Sequence, residues 1–208
     1  MKRTLLIILA LTAFAAVAPA QTADEIIDRM NKEMDKGEAQ GTAMTMDMKI
    51  PILGTFSTRI KNLGKRSRAD MDVKGEKGII WMHNDTSWTY SSKDDRIEIN
   101  LVNQKDKSSS KDSEMLYNIT DGYDVSIAGE TADTWKILCK KSKDNKSKDD
   151  SSKMDLVVSK KTYLPVSLSA KAKGVTIILR DFSIGVSKSE VTFNPSAFKS
   201  AEIVDKRL

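Results

Sequence analysis

The sequence predicts a mainly β protein of the α+β class, with one helix near its N-terminus lying on the concave side of a long, curved antiparallel sheet. Three observations lead there. Apolar residues recur at helical spacing over one early stretch only. From residue 44 onward the apolar pattern switches to a period of two, in short runs separated by turn residues. There is no repeated strand–helix–strand rhythm of the kind a parallel sheet needs.

The first twenty residues stand apart from this pattern. Lys2 and Arg3 precede an apolar run from Leu5 to Val17 broken only by Thr12, and Ala18-Pro19-Ala20 has the small residues of an export cleavage site. The run is shorter than the roughly 20 residues that span a bilayer. Residues 1–20 therefore read as a signal peptide removed before Gln21, and residues 21–208 as a single exported domain. Gln21, not cysteine, follows the cleavage site, so no N-terminal lipid anchor is expected.

The helix comes next. Thr22 and Glu25 have the spacing of a capping box; Ile26, Ile27, Met30 and Met34 form one apolar face, and Gly37 is the expected stop. Met44, Met46, Met48 and Ile50 then alternate with Thr45, Asp47 and Lys49, which predicts a strand with its methionines on one face and the odd positions in water. Pro51 and Gly54 turn the chain into a second strand in which Phe56, Thr58 and Ile60 alternate with Ser57, Arg59 and Lys61. Further strands are expected around Met71, at Ile79–Met82, at Ser87–Tyr90 and at Ile97–Leu101. Lys105–Ser113 reads as a polar loop and Glu114–Ile119 as a short helix. A hairpin around Gly129-Glu130 joins Val125–Ile127 to Trp135–Cys139, and Lys140–Lys153 reads as a solvated loop. Met154–Val158, Val166–Ala170 and Val175–Leu179 complete the strands, with Phe182, Ile184 and Val186 extending the last.

Composition narrows the chemistry. Lys plus Arg number 34 against 29 Asp plus Glu, an excess too small and too dispersed to bind nucleic acid. A single cysteine, Cys139, allows no internal disulfide and reads as buried; a single histidine, His83, sits among turn residues. Asp94-Asp95 and Asp149-Asp150 lack a calcium-loop pattern and have lysines beside them. With no nucleophile elbow, phosphate loop or paired cysteines, no enzyme, cofactor or metal is expected. The informative residue is methionine, which is flexible and polarisable and accommodates varied apolar partners. Met44, Met46, Met48, Met71 and Met82, with Trp81, Trp88 and Trp135, fit either an adaptable lipid cavity or an ordinary core.

Several segments together resemble the periplasmic lipoprotein carrier (LolA-like) family. They are the opening helix Ala23–Met34, the strand pair Met44–Ile60, and Asn84-Asp85-Thr86-Ser87-Trp88-Thr89-Tyr90, which is similar to that family's Asp-Gly-x-x-x-Trp-x-Tyr hairpin with Asp85 in place of the glycine. Thr162-Tyr163-Leu164-Pro165, Val191-Thr192-Phe193-Asn194-Pro195 and Ala201–Arg207 resemble its C-terminal pattern. The resemblance implies an unclosed half-barrel of antiparallel strands covered by short helices, whose apolar interior holds acyl chains. It also implies a monomer that takes lipoproteins or other lipids from an inner-membrane donor to an outer-membrane acceptor. The lining expected here is Ile26, Met30, Met44, Met46, Met48, Phe56, Ile60, Met71, Trp81, Trp88, Tyr90, Ile97 and Ile99. An envelope sensor or accessory lipid- or protein-binding module of the same fold is the alternative. The family's strand arginine before a proline has no match in Thr58–Leu63, so closure is expected from Ile26, Ile27 and Met30 packing on the sheet, with Arg59 and Lys61 in solvent.

Overall fold

A computed structural model describes residues 21–102, 119–147 and 151–207. The signal peptide expected over residues 1–20, the loop expected over 105–113 and nearly all of the short helix expected over 114–119 lie outside the described residues, as does Asp149-Asp150.

Helix α1 runs Ala23–Gln40. Its start is the expected capping box: the Thr22 hydroxyl accepts from the Glu25 amide, and the Glu25 carboxylate accepts from the Thr22 amide. It does not stop at Gly37. That glycine is buried inside the helix, and the chain turns at Gly41, whose φ of +79° suits glycine. A Cβ there would lie 2.6 Å from the Asn62 carbonyl oxygen and 2.8 Å from the Val186 Cβ.

Among the described residues twelve strands follow: β1 (Thr42–Ile50), β2 (Gly54–Leu63), β3 (Arg66–Val73), β4 (Glu76–His83), β5 (Thr86–Ser91), β6 (Arg96–Leu101), β7 (Tyr123–Glu130), β8 (Thr134–Lys141), β9 (Lys153–Ser159), β10 (Pro165–Ala172), β11 (Val175–Ile184) and β12 (Glu202–Asp205). They form one sheet in the order β12-β6-β5-β4-β3-β2-β1-β11-β10-β9-β8-β7. Only β12 and β6 pair in parallel, and the two ends of the order, β7 and β12, do not pair, so the sheet is unclosed as expected. The hairpin expected at Gly129-Glu130 turns slightly later, between Glu130 and Thr134, because β7 carries a bulge between Ile127 and Gly129.

Opposed residues of an antiparallel pair project to the same side, so register assigns the two faces. On the inner face one row of opposed residues runs Ile137, Leu156, Leu168, Leu179, Met46, Thr58 and Met71. Its neighbour runs Met44, Ile60, Ala69 and Ile80. Helix α1 packs on the β8–β11 half of this face: Ile26, Met30, Leu156 and Cys139 are fully buried, together with Met34, Ile137, Val158 and Leu168. Burial pushes the Cys139 thiol up to about 11, with a smaller contribution from Asp155.

The outer face carries Ala43, Lys61, Arg68, Trp81, Trp88 and Ile99 in one row and Thr45, Arg59, Asp70, Ile79, Tyr90 and Ile97 in the next. Of the odd positions of β1 expected in water, Lys49 is exposed, but Thr45 and Asp47 are not. Thr45 and Asp47 are buried, because Arg59 donates to the Thr45 hydroxyl at 3.1 Å and Arg180 donates to both Asp47 carboxylate oxygens at 2.7 and 3.2 Å. The Arg180 hydrogen bond, followed by one from Ser57, holds the Asp47 carboxyl below its ordinary value.

The C-terminal segment covers the outer face of β2–β6. Val186 and Val191 pack on Ala43 and Leu63. A short 3-10 turn, Lys188–Val191, presents Glu190 to Lys61 at 2.7 Å. A second 3-10 turn, Pro195–Ala197, is capped by the Asn194 side chain accepting from the Ser196 amide at 3.1 Å. It sets Phe193 and Phe198 against the tryptophans: Phe193 lies 5.3 Å from Trp81 and 5.7 Å from Trp88, and Phe198 lies 5.5 Å from Trp81 and 4.6 Å from Tyr90. The segment ends by adding β12 beside β6, with Ile203 opposite Ile97.

Candidate functional site

The residues expected to line one cavity fall into three groups. Ile26 and Met30 lie sealed between α1 and the sheet, and Met44 is buried on β1. Met46, Met48, Phe56, Ile60 and Met71 share the inner face and are half-buried. Trp81, Trp88, Tyr90, Ile97 and Ile99 do not belong with them. They lie on the outer face, where Trp81 (3% exposed) and Ile97 (0%) are closed off by the C-terminal segment. The physical reason lies in β4, where Ile79, Ile80, Trp81 and Met82 are apolar at consecutive positions. Alternation has no phase there, and only pairing with β3 shows that Ile80 and Met82 face inward while Trp81 faces out.

The candidate site is therefore the inner face of β1–β4, formed by Met46, Met48, Phe56, Ile60, Met71 and Ile80, each half-buried. It continues without a break into the core under α1, since Met46 stands opposite Leu179 and Met48 opposite Ile177. Ile80 was not among the residues expected here, and its signal is the register that pairs it with Ala69. On α1, the Asn31 side-chain oxygen is shielded from solvent and has no hydrogen-bond partner among the described residues. Among the described residues, two hollows lie elsewhere. One, of about 110 Å³, is bounded by Arg66, Trp81, His83, Trp88 and Phe193; the other is an open groove at the end of β1. The first is smaller than the roughly 300 Å³ at which small-molecule pockets begin.

Helix α1 is held by more than apolar contact. Arg29 donates to the Tyr163 hydroxyl at 2.9 Å, and its guanidinium stands 5.3 Å from the tyrosine ring centroid. Tyr163 in turn packs on Trp135 at 5.3 Å. The Thr162–Pro165 stretch singled out in the sequence is thus where the helix is fastened. The arginine comes from the helix, while Arg59 and Lys61 lie on the outer face and are paired: Arg59 with Thr45 and the Asp181 carbonyl, Lys61 with Glu190.

No family model matches the chain, and no curated protein matches it. Solved structures do. LprF from Mycobacterium bovis aligns with a TM-score of 0.58 at 12% identity, over 83% of this chain and 96% of that one. The LolA superfamily protein NE2245 from Nitrosomonas europaea aligns at 0.36 and 11% identity, over 85% and 100%. The Pseudomonas aeruginosa MucA/MucB complex aligns at 0.44 and 10% identity, over 83% of this chain and 61% of that one. The match to LprF establishes a shared fold, here an unclosed antiparallel sheet with a helix on one face. Among the described residues no helix is long and apolar enough to cross a membrane.

Proposed function

We propose that the protein is an exported, periplasmic carrier that holds the acyl chains of lipoproteins against the inner face of β1–β4 and delivers them towards the outer membrane. One observation carries this reading: a run of half-buried, flexible apolar side chains continues directly from a closed core and is left partly in water. Keeping Met46, Met48, Phe56, Met71 and Ile80 there forgoes burial that each side chain would otherwise gain, whereas an acyl chain laid across them gains about 0.8 kcal/mol for each methylene removed from water. Methionines suit chains of varied length because they repack at low cost. The reading needs no cofactor and no bond chemistry. Binding is to acylated cargo, with an inner-membrane donor and an outer-membrane acceptor, and export follows from residues 1–20.

A fluorescent fatty acid and a purified triacylated lipoprotein provide the test. The proposal expects saturable binding of both and a soluble protein–lipoprotein complex, lost when Met46 and Met71 are both changed to Ser. Failure to bind either probe refutes it. The alternative, an envelope sensor or accessory module, draws on the packed contact between α1 and β8–β11, where Ile26, Met30, Ile137, Leu156 and Cys139 already bury one another. That reading expects recovery of a membrane protein partner on crosslinking in cells, with no lipoprotein bound.

A further inference from the structure

The turn between β1 and β2 is the most exposed apolar point among the described residues. Ile52 is 105% exposed and Leu53 64%. Ile52 also has a φ of +72°, a left-handed conformation that a β-branched side chain adopts at a cost and that glycine or asparagine would occupy freely. A solvated turn would gain from either change, so this tip is poorly explained as a turn alone.

Its surroundings point to what it meets. The neighbouring β10–β11 hairpin lies beside it, since Lys49 stands opposite Thr176. Between the two tips is a groove of about 370 Å³ bounded by Lys49, Ile50, Pro51, Gly54, Lys171 and Gly174. Residues 48–56 and 169–177 contain Lys49, Lys171 and Lys173 and no acidic residue. At the same end, the β3–β4 turn adds an exposed Val73 and Lys74, balanced by Asp72 and Glu76. An apolar point with a cationic collar has the chemistry of a bilayer surface: the side chains enter the acyl boundary and the ammonium groups meet anionic headgroups.

We propose that the Ile52–Leu53 tip is a membrane-docking wedge, seated on anionic lipid by Lys49 and Lys171. The wedge lies at the end of the candidate site, because Ile50 leads straight to Met48, which stands opposite Phe56 on the inner face. An acyl chain leaving a bilayer at the wedge would meet the methionine face directly. Docking itself does not depend on the carrier reading; only this route does.

The test uses the chain as purified after export and vesicles of phosphatidylcholine with and without added phosphatidylglycerol, in a sedimentation assay. The expected result is binding to the anionic vesicles that weakens with salt. Ile52→Ser with Leu53→Ser should reduce it at least tenfold, and Lys49→Gln with Lys171→Gln should cost about fivefold per lysine. Ile203→Ser, at an exposed position on β12, should leave it unchanged. Both tip residues are in water, so the double variant keeps its melting temperature, and its fatty-acid affinity in vesicle-free solution stays that of the parent. Docking is refuted if the parent ignores anionic vesicles or if the double variant sediments as the parent does. It is also refuted if the tip instead mediates a concentration-dependent dimer that the double variant loses. Loss of fatty-acid binding by the parent, with vesicle docking intact, refutes the carrier reading and leaves the wedge standing.

Discussion

Two phenylalanines on opposite faces of the sheet separate stability from cargo binding. Phe193 closes the outer face, with its ring between Trp81 and Trp88 at 5.3 and 5.7 Å. Phe56 sits on the open inner face opposite Met48. A fully buried Phe→Ala change costs about 3–5 kcal/mol; Phe193 is half-buried, so Phe193→Ala should cost about 2–3 kcal/mol, including its two ring pairs. For a chain of this size that lowers the melting temperature by roughly 4–12 °C. Phe56→Ala removes a side chain already partly in water and should cost about 1 kcal/mol or less. Its effect should fall on acyl-chain affinity, weakened at least fivefold, which is about 1 kcal/mol. Thermal melts followed by far-ultraviolet circular dichroism, together with titration of a fluorescent fatty acid, measure both quantities on both variants. Phe193→Ala should change affinity by less than about twofold, under 0.5 kcal/mol. The reverse pattern, with Phe193→Ala abolishing binding at an unchanged melting temperature, would show that the outer aromatic cluster is the lipid site and that the face assignment is misread.

Three further outcomes are expected. Gly41→Ala should destabilise the fold by several kcal/mol, on the order of 3, because its Cβ meets backbone at 2.6 Å and φ is +79°; chemical denaturation measures it, and a loss below about 0.5 kcal/mol would mean the α1–β1 junction relaxes freely. The Glu190 carboxyl is held at about 2, first by Lys61 and then by the Ser187 amide and hydroxyl, and Lys206 holds the Glu98 carboxyl below its ordinary value. Because these groups are more acidic folded than unfolded, protonation favours release: their contribution is complete above about pH 4.5 and is lost as pH falls below it, for Glu190 towards about 2. Acrylamide quenching of tryptophan should therefore rise over that window and rise less in a Lys61→Gln variant. Cys139, fully buried with its thiol pushed up to about 11, should resist a thiol-directed reagent at pH 8 in the folded chain and react at once in denaturant; rapid native labelling would contradict the packed contact with α1.

Much of the local structure is legible in the amino-acid order. The Thr22–Glu25 capping box, the helical spacing of Ile26, Met30 and Met34, and the two-residue alternation from Met44 to Ile60 are short-range patterns, and each forms the element it predicts. They follow from backbone geometry: a period of 3.6 or of 2 gathers apolar side chains on one face whatever the rest of the chain does. The helix runs to Gly41, four residues past the stop that Gly37 predicts, because two glycines compete for its end and only the close approach of Asn62 and Val186 makes Gly41 indispensable.

The site itself was decided by tertiary structure. Alternation says that neighbouring residues part to opposite faces, but not which face receives a helix and which receives the C-terminal segment. In β4 and β5 the rows containing Trp81, Trp88 and Tyr90 look as apolar as the methionine rows, and only Phe193 and Phe198, more than a hundred residues later, make them the closed side. The polar rows were equally ambiguous: Thr45 and Asp47 read as solvent-facing until Arg59 and Arg180 are brought across the neighbouring strands to cover them. The sequence alone therefore determined most of the elements and their periods, though not β12 or the two 3-10 turns before it. Long-range pairing determined which of two comparable apolar faces was left partly open, because burial depends on what arrives from elsewhere in the chain.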